Sequence, residues 1–288
     1  MRKMLLVDGN SMLFRAFYAT FTRPMSTRSG IPTNAVYGFS MMMNKALQII
    51  APQAVLVAFD KGKHTFRHEL YPQYKGGRKQ TPEELAAQFP IVREYLDAAG
   101  IRRYEADEIE ADDIIGSLTR QYPDWQIHVL SSDRDMLQLI DQTTSVWLMK
   151  KGLSDIEEMT VERLKKQLGI EPDQIRDLKG LMGDASDNIP GIPKVGEKTA
   201  LKLLAEYRTV ENLIAHADEL KGKLKENVIQ YQDQALLSKR LATIKTDVKI
   251  PFEAEDFQLQ LTPQSLLQFY HSYEMNSLAK KLQEDMSS

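Results

Sequence analysis

Met4-Leu5-Leu6-Val7-Asp8-Gly9-Asn10-Ser11 is a short apolar run that ends in an acid and a turn. The design returns at Ala54-Val55-Leu56-Val57-Ala58-Phe59-Asp60, and again at Ile127-His128-Val129-Leu130, where Ser131 and Ser132 precede Asp133. Short, β-branched runs of this kind predict strands buried on both faces. Ile101–Tyr104 and Val146–Met149 are weaker strand candidates. Between these runs, Ala35–Ile50, Glu83–Ala99 and Ala111–Gln121 repeat their apolar residues at helical spacing. Strands alternating with helices predict an α/β fold with a mostly parallel central sheet flanked by helices. In such sheets the ligand site lies outside the carboxyl ends of the strands. Three strands that each deliver an acid there predict one shared acidic site.

From about residue 160 the strand signal fades. Val161–Leu168, Pro172–Leu181, Glu197–Tyr207, Val210–Ala217 and Gln232–Ile244 read as successive helices. Val248–Gln260 is irregular, and an amphipathic helix pair covers Pro263–Gln283. The expected organisation is an α/β core over 1–160 and a helical lobe over 161–288. The chain has 288 residues, 42% of them hydrophobic, enough for a sizeable core. Without cysteine, disulfides and thiolate metal sites are excluded. No apolar run reaches the length of a membrane span, and the N-terminus lacks a signal-peptide pattern. The expectation is a cytoplasmic protein with no membrane partner. Trp125, Trp147 and the run Met41-Met42-Met43 read as core or rim, and His64 with His68 as a pair unsuited to an acid-based metal site.

The acids extend to a set of nine: Asp8, Asp60, Glu110, Asp112, Asp113, Asp133, Asp135, Asp184 and Asp187. Taken singly, an Asp after a strand is a helix cap or a turn residue, and Glu110–Asp113 suits a helix N-terminus. Taken together they point to metal. Hard divalent cations take oxygen ligands. Two such ions activate water and stabilise the leaving oxygen in phosphodiester hydrolysis. Convergent carboxylates repel one another without them. The net charge of −3 argues at first against a nucleic-acid partner. With the nine acids set aside, the remaining surface is net basic.

Glu110-Ala-Asp-Asp-Ile-Ile-Gly116 and Leu181-Met-Gly-Asp-Ala-Ser-Asp-Asn-Ile-Pro-Gly191, with the acids in this order, resemble the 5′ nuclease family. That family includes the N-terminal 5′→3′ exonuclease domain of bacterial DNA polymerase I, to which the likeness is greatest, stand-alone bacterial and phage flap endonucleases, and distant eukaryotic relatives. The resemblance implies that Asp8, Asp60, Glu110 and Asp112 serve one metal ion. It gives Asp133, Asp135, Asp184 and Asp187 to a second, with Asp113 in support. It implies Mg²⁺, replaceable by Mn²⁺, and a structure-specific 5′→3′ exonuclease and flap endonuclease. The substrates would be branched or flapped DNA and RNA-primed DNA, in primer removal and repair. A PIN-like or resolvase-like core and a monomer, fused to or acting with a DNA polymerase at the bacterial nucleoid, complete the expectation. The rivals are a non-catalytic branched-DNA-binding module and a PIN-like ribonuclease.

Residues 61–80 carry Lys61, Lys63, Arg67, Lys75, Arg78 and Lys79 against Glu69, interleaved with Phe66, Tyr71 and Tyr74. Cations track a phosphate backbone and aromatic faces stack bases. By resemblance this is a helical arch at about 61–95. There Lys75 and Arg78 contact the scissile phosphate, with Arg15 and Tyr74 near it. Lys179 matches a family lysine close to the active site. Downstream, Gly191, Lys194, Val195, Gly196, Lys198, Thr199 and Lys202 surround a Gly/Pro turn and the start of a helix. Backbone N–H groups at such a start hold phosphate without reading sequence. By resemblance this is a helix–three-turn–helix motif at about 178–207, which grips duplex DNA and in relatives can bind K⁺. Relatives often carry glycine where this chain has Lys194.

Overall fold

The computed structural model describes residues 1–62, 64–151 and 155–287. Lys63 lies outside the described residues. Six strands form one sheet: β1 Lys3–Asp8, β2 Ala54–Ala58, β3 Arg102–Tyr104, β4 Gln126–Ser131, β5 Thr144–Met149 and β6 Ile156–Met159. Their order is β3-β2-β1-β4-β5-β6, and every pairing is parallel except β5 with β6. The α/β class and mostly parallel sheet expected from the sequence are what the chain adopts. β6 was not foreseen. Of its four residues only Met159 is buried, so the edge strand carries no apolar pattern.

The helices are α1 Gly9–Thr20, α2 Asn34–Ile50, α3 Phe66–Leu70, α4 Glu83–Ala86, α5 Gln88–Ala99, α6 Ala111–Gln121 and α7 Val161–Leu168. They continue as α8 Ile175–Met182, α9 Glu197–Tyr207, α10 Val210–Ala215, α11 Gly222–Gln230, α12 Gln232–Ala242, α13 Pro263–Ser272 and α14 Asn276–Ser287. The expected helix over Glu83–Ala99 is broken at Ala87. Pro90 has no N–H to give the carbonyl of Ala86, and its ring crowds that carbonyl.

Alternation along the strands divides the core in two. Met4, Leu6, Leu56 and Val129 share one core with α6 and with the helices α8 to α12, which contribute Leu178, Leu204, Val210 and Val228. Leu5, Val7, Val55 and Val57 face α1, α2 and α5. The last two helices belong to this second core, not to the helical lobe in which the sequence placed them. Leu266, Phe269, Tyr270 and Leu278 pack there, with the Tyr270 ring 6.3 Å from that of Tyr95 on α5. An amphipathic α5 leaves an apolar stripe that needs this cover.

Strands β2 and β3 lie on one side of β1, and β4, β5 and β6 on the other. The crevice outside the carboxyl ends of β1 and β4 is therefore the switch point where such sheets bind ligands. Gly116 explains how α6 is set against it. A Cβ there would stand 2.5 Å from Ile244 Cγ2 and 2.9 Å from the Lys245 carbonyl. Only glycine lets the 244–245 segment lie on the helix.

Candidate active site

Asp8 closes β1 and is 5% exposed. It accepts hydrogen bonds from Ser11 N at 2.9 Å, which caps α1, and from Ser131 Oγ at 2.8 Å. It is thus both helix cap and site acid. Asp60 follows β2 and accepts from Ala111 N at 2.8 Å, so it fixes the start of α6. Glu110 is the N-cap residue of that helix and Asp112 lies in its first turn. Asp133 accepts from Asp135 N at 2.8 Å, closing the 3-10 turn Arg134–Leu139 after β4. Asp184 and Asp187 follow α8 in the loop before α9.

These acids crowd one another. Burial, with the charges of Asp60 and Asp133, pushes Asp8 up to about 7. Burial and then Asp133 push Asp135 up to about 7. Burial, Asp8 and Asp133 hold Asp112 well above the carboxylate range, and burial raises Asp133. Asp112 receives no hydrogen bond and no ion pair among the described residues.

Cations stand among them. Lys75 Nζ donates to Glu110 at 2.9 Å, and Arg78 NH2 to Asp187 at 2.6 Å. Tyr74 OH lies 3.2 Å from Glu110 and 3.1 Å from Asp187, so one proton is shared between two carboxylates. Lys75 N donates to the Asp187 carbonyl at 2.8 Å, and Lys75 has a left-handed backbone at φ 56°. That conformation is unfavourable for lysine and persists because these contacts fix it. Lys179 Nζ sits 2.6 Å from Asp135 and pairs with Asp184. Burial would raise Glu110 and Asp184, but Lys75 and Arg67 outweigh it at Glu110, and Lys179 and Ser186 at Asp184. Both carboxyls are held below their usual range. Among the described residues no three acids stand close enough together to enclose a cation as they are placed.

Arg67, read from the sequence as a DNA contact, is buried in this structure. It is 3% exposed and spends its guanidinium on Asp113, at 2.7 and 2.8 Å, and on the carbonyls of Leu241 and Thr243. Asp113 is correspondingly withdrawn from the site. It is 1% exposed and also accepts from Lys245 N at 2.8 Å. The Val195 side chain is buried too, and its N–H donates to the Ile192 carbonyl at 3.0 Å. Arg15 donates to the Met149 carbonyl at 2.9 Å, at the carboxyl end of β5. Lys61 pairs with Asp107 at 2.8 Å, and Lys79 is exposed. Ser11, Ser131 and Thr65 went unnoticed in the sequence. Thr65 Oγ1 donates to Glu110 at 3.0 Å. Their signal was adjacency to the acids or to the basic loop.

The loop between α8 and α9 folds tightly. At Gly191 a Cβ would lie 2.3 Å from the Met182 carbonyl, so the close return demands glycine. Lys194 has φ 66°, the left-handed region that favours glycine. The turn keeps this shape despite its lysine, at a cost of about 1 kcal/mol. Lys194, Lys198 and Lys202 are exposed, Thr199 is half-buried, and Gly196 is the N-cap residue of α9.

The crevice at the carboxyl ends of the strands is lined with acids, with lysine and arginine among them. The chain belongs to the 5′-3′ exonuclease family. Its N-terminal resolvase-like domain model matches residues 3–169, and its C-terminal SAM-fold model matches residues 170–265. DNA polymerase I of Bacillus subtilis (strain 168) is 46% identical over 288 residues, covering 99% of this chain and 32% of that protein. DNA polymerase I of Geobacillus stearothermophilus is 52% identical over 257 residues, 88% of this chain and 29% of that protein. The chain thus spans about a third of the length of the curated relatives it matches. In fold it is similar to a T5 5′-exonuclease with bound zinc, at TM-score 0.69 and 20% identity over 98% of this chain and 99% of that one. The catalytic core of Rad2 with DNA substrate superposes at TM-score 0.63 and 16% identity, over 98% of this chain and 90% of that one. Among the described residues no helix is long and apolar enough to cross a membrane.

Proposed function

We propose that this chain hydrolyses phosphodiesters at 5′ flaps, nicks and single-strand-to-duplex junctions, in DNA and in RNA primer or hybrid strands. The observation that supports this most is the gathering of Asp8, Asp112, Asp133 and Asp135 at one crevice, where burial first and neighbouring acids second raise each of them. The donors are all oxygen, which fits Mg²⁺, with Mn²⁺ as substitute. Asp8, Asp60, Glu110 and Asp112 would hold one ion, and Asp133, Asp135, Asp184 and Asp187 a second. Bound there, such ions lower the pKa of water and offset charge on the leaving oxygen.

The chain's own cations do the positioning. Lys75 and Arg78 now satisfy Glu110 and Asp187. A scissile phosphate would draw them off those carboxylates and hold the strand for attack. Tyr74 keeps Glu110 and Asp187 together beneath it. Lys179 does the same for Asp135 and Asp184. Lys194, Lys198 and Lys202, with the N–H groups at the start of α9, would grip duplex phosphates, and the neighbouring turn carbonyls would take K⁺. The cellular task is primer removal and repair in the bacterial cytoplasm, by a monomer fused to or acting with a DNA polymerase.

The test is cleavage of a labelled 5′-flap DNA in Mg²⁺ and in EDTA, beside an RNA hairpin. Cutting near the flap junction in Mg²⁺ alone supports the proposal. Binding without cutting would favour the non-catalytic module, and preference for the RNA hairpin the ribonuclease.

A further inference from the structure

Arg134 stands between two site acids, Asp133 and Asp135, yet reaches away from both. Its NH1 lies 3.6 Å from Glu197 Oε1, in the first turn of α9. The side chains are 56% and 44% exposed. An ion pair this long and open is no structural clamp. It is a contact that a stronger anion can take over. Glu197 is also the wrong charge for its place if α9 meets phosphate: the N-cap residue Gly196 offers no side-chain cap, and Glu197 would repel a phosphate seated there. Arg134 is the cation that pairs with it.

We propose that Arg134 is a further phosphate-contacting and positioning residue. In the free protein its guanidinium rests on Glu197. When duplex binds, it spans Glu197 and a backbone phosphate at the start of α9, which the planar fork of arginine can do and the point charge of lysine does poorly. Because Arg134 opens the 3-10 turn that Asp133 caps, anchoring it also fixes the turn that presents Asp133 and Asp135. Engagement of duplex is thereby felt at the acids. This rests on the proposed duplex-binding role of the α8–α9 motif.

The experiment measures binding of a labelled blunt duplex in EDTA at several salt concentrations, and single-turnover cleavage of a 5′ flap in Mg²⁺ at saturating enzyme. The proteins are wild type, Arg134→Gln, Arg134→Lys, Glu197→Gln and the double variant Arg134→Gln/Glu197→Gln. Arg134→Gln should weaken duplex binding on the order of tenfold and lower the salt slope by about one. Arg134→Lys should restore the slope but not the full cleavage rate. Glu197→Gln should tighten binding, and by a larger factor when Arg134 is already Gln, because the repulsion is then uncompensated. Melting temperatures should hold, since both side chains are exposed. An unchanged salt slope in Arg134→Gln, while wild type binds duplex, overturns the inference. Failure of wild type to bind duplex overturns the parent reading instead.

Discussion

Arg67 gives Asp113 two parallel hydrogen bonds, 2.7 and 2.8 Å long, and the two side chains are 3% and 1% exposed. The same guanidinium reaches the carbonyls of Leu241 and Thr243 and lies 3.4 Å from Glu110. One residue therefore ties the base of the basic loop to α6 and to the segment after α12. Within the loop Arg67 is buried against Asp113, while Lys75 and Arg78 pair with Glu110 and Asp187.

Arg67→Ala should accordingly act on stability. It leaves Asp113 buried with, among the described residues, only the N–H of Lys245 as side-chain partner. Breaking a buried pair in this way costs about 3–5 kcal/mol. The denaturant midpoint should fall by a corresponding amount, while the salt slope of duplex binding by the folded protein stays at the wild-type value. A stable variant with one phosphate contact fewer would return Arg67 to the DNA-binding set.

Asp112→Asn separates charge from shape. Asp112 is pressed by burial, Asp8 and Asp133, and receives no hydrogen bond among the described residues. Asparagine removes one negative charge and keeps the volume. Flap cleavage in Mg²⁺ should fall by about 10² or more, with binding equal or tighter because an acid facing phosphate is gone. Cleavage at the wild-type rate would remove Asp112 from the metal-holding set.

What the sequence made legible followed from local pattern. Ala111–Gln121 was read end to end because its apolar face and acidic start coincide. Asp8, Asp60, Glu110, Asp112 and Asp133 stood out because each follows a strand or opens a helix, whereas Asp184 and Asp187, in the loop after α8, were reached through the family resemblance. α1 was hidden behind Asp8-Gly-Asn-Ser, which reads as a turn, although Asp8 caps the helix from inside the site. α11 was hidden because only Asn227 and Val228 in it are buried. The fate of Arg67 could not be read at all, since its partners lie 46 and 174 residues away in sequence.

His128 supplies a pH signature apart from the acids. It is 4% exposed; its Nδ1 accepts from Trp147 Nε1 at 3.1 Å, and its Nε2 has no partner among the described residues. Burial holds its pKa below the ordinary 6.5. The folded state thus keeps it neutral where the unfolded chain binds a proton. Its contribution to stability is complete above the unfolded value and is lost as pH falls from there toward the folded one. Thermal melts of wild type and His128→Gln at about pH 7.5 and about pH 5.5 should show a smaller acid-side loss in the variant. Taking the difference cancels the opposite trend from the raised carboxyls. Parallel pH profiles would mean that His128 is solvated.

The last prediction divides rate from affinity. Lys75 and Arg78 sit on Glu110 and Asp187, inside the acidic crevice, whereas Lys198 and Lys202 are exposed along α9 with no ion pair among the described residues. Replacing Lys75 and Arg78 together by Ala removes the cations placed to meet the scissile phosphate, where charge develops in the transition state. The single-turnover rate should fall on the order of 10² or more, with a lesser loss of binding. Removing those two cations also frees Glu110 and Asp187, so this variant should need a higher Mg²⁺ concentration only if the lysine and arginine had helped to order the acids. Replacing Lys198 and Lys202 by Ala should lower the salt slope by about two and weaken binding, with the rate at saturating enzyme nearly kept. Binding titrations at two salt concentrations, paired with single-turnover cleavage, resolve the two effects. Equal losses of rate and affinity in both double variants would show that the loop and the α8–α9 motif share one role.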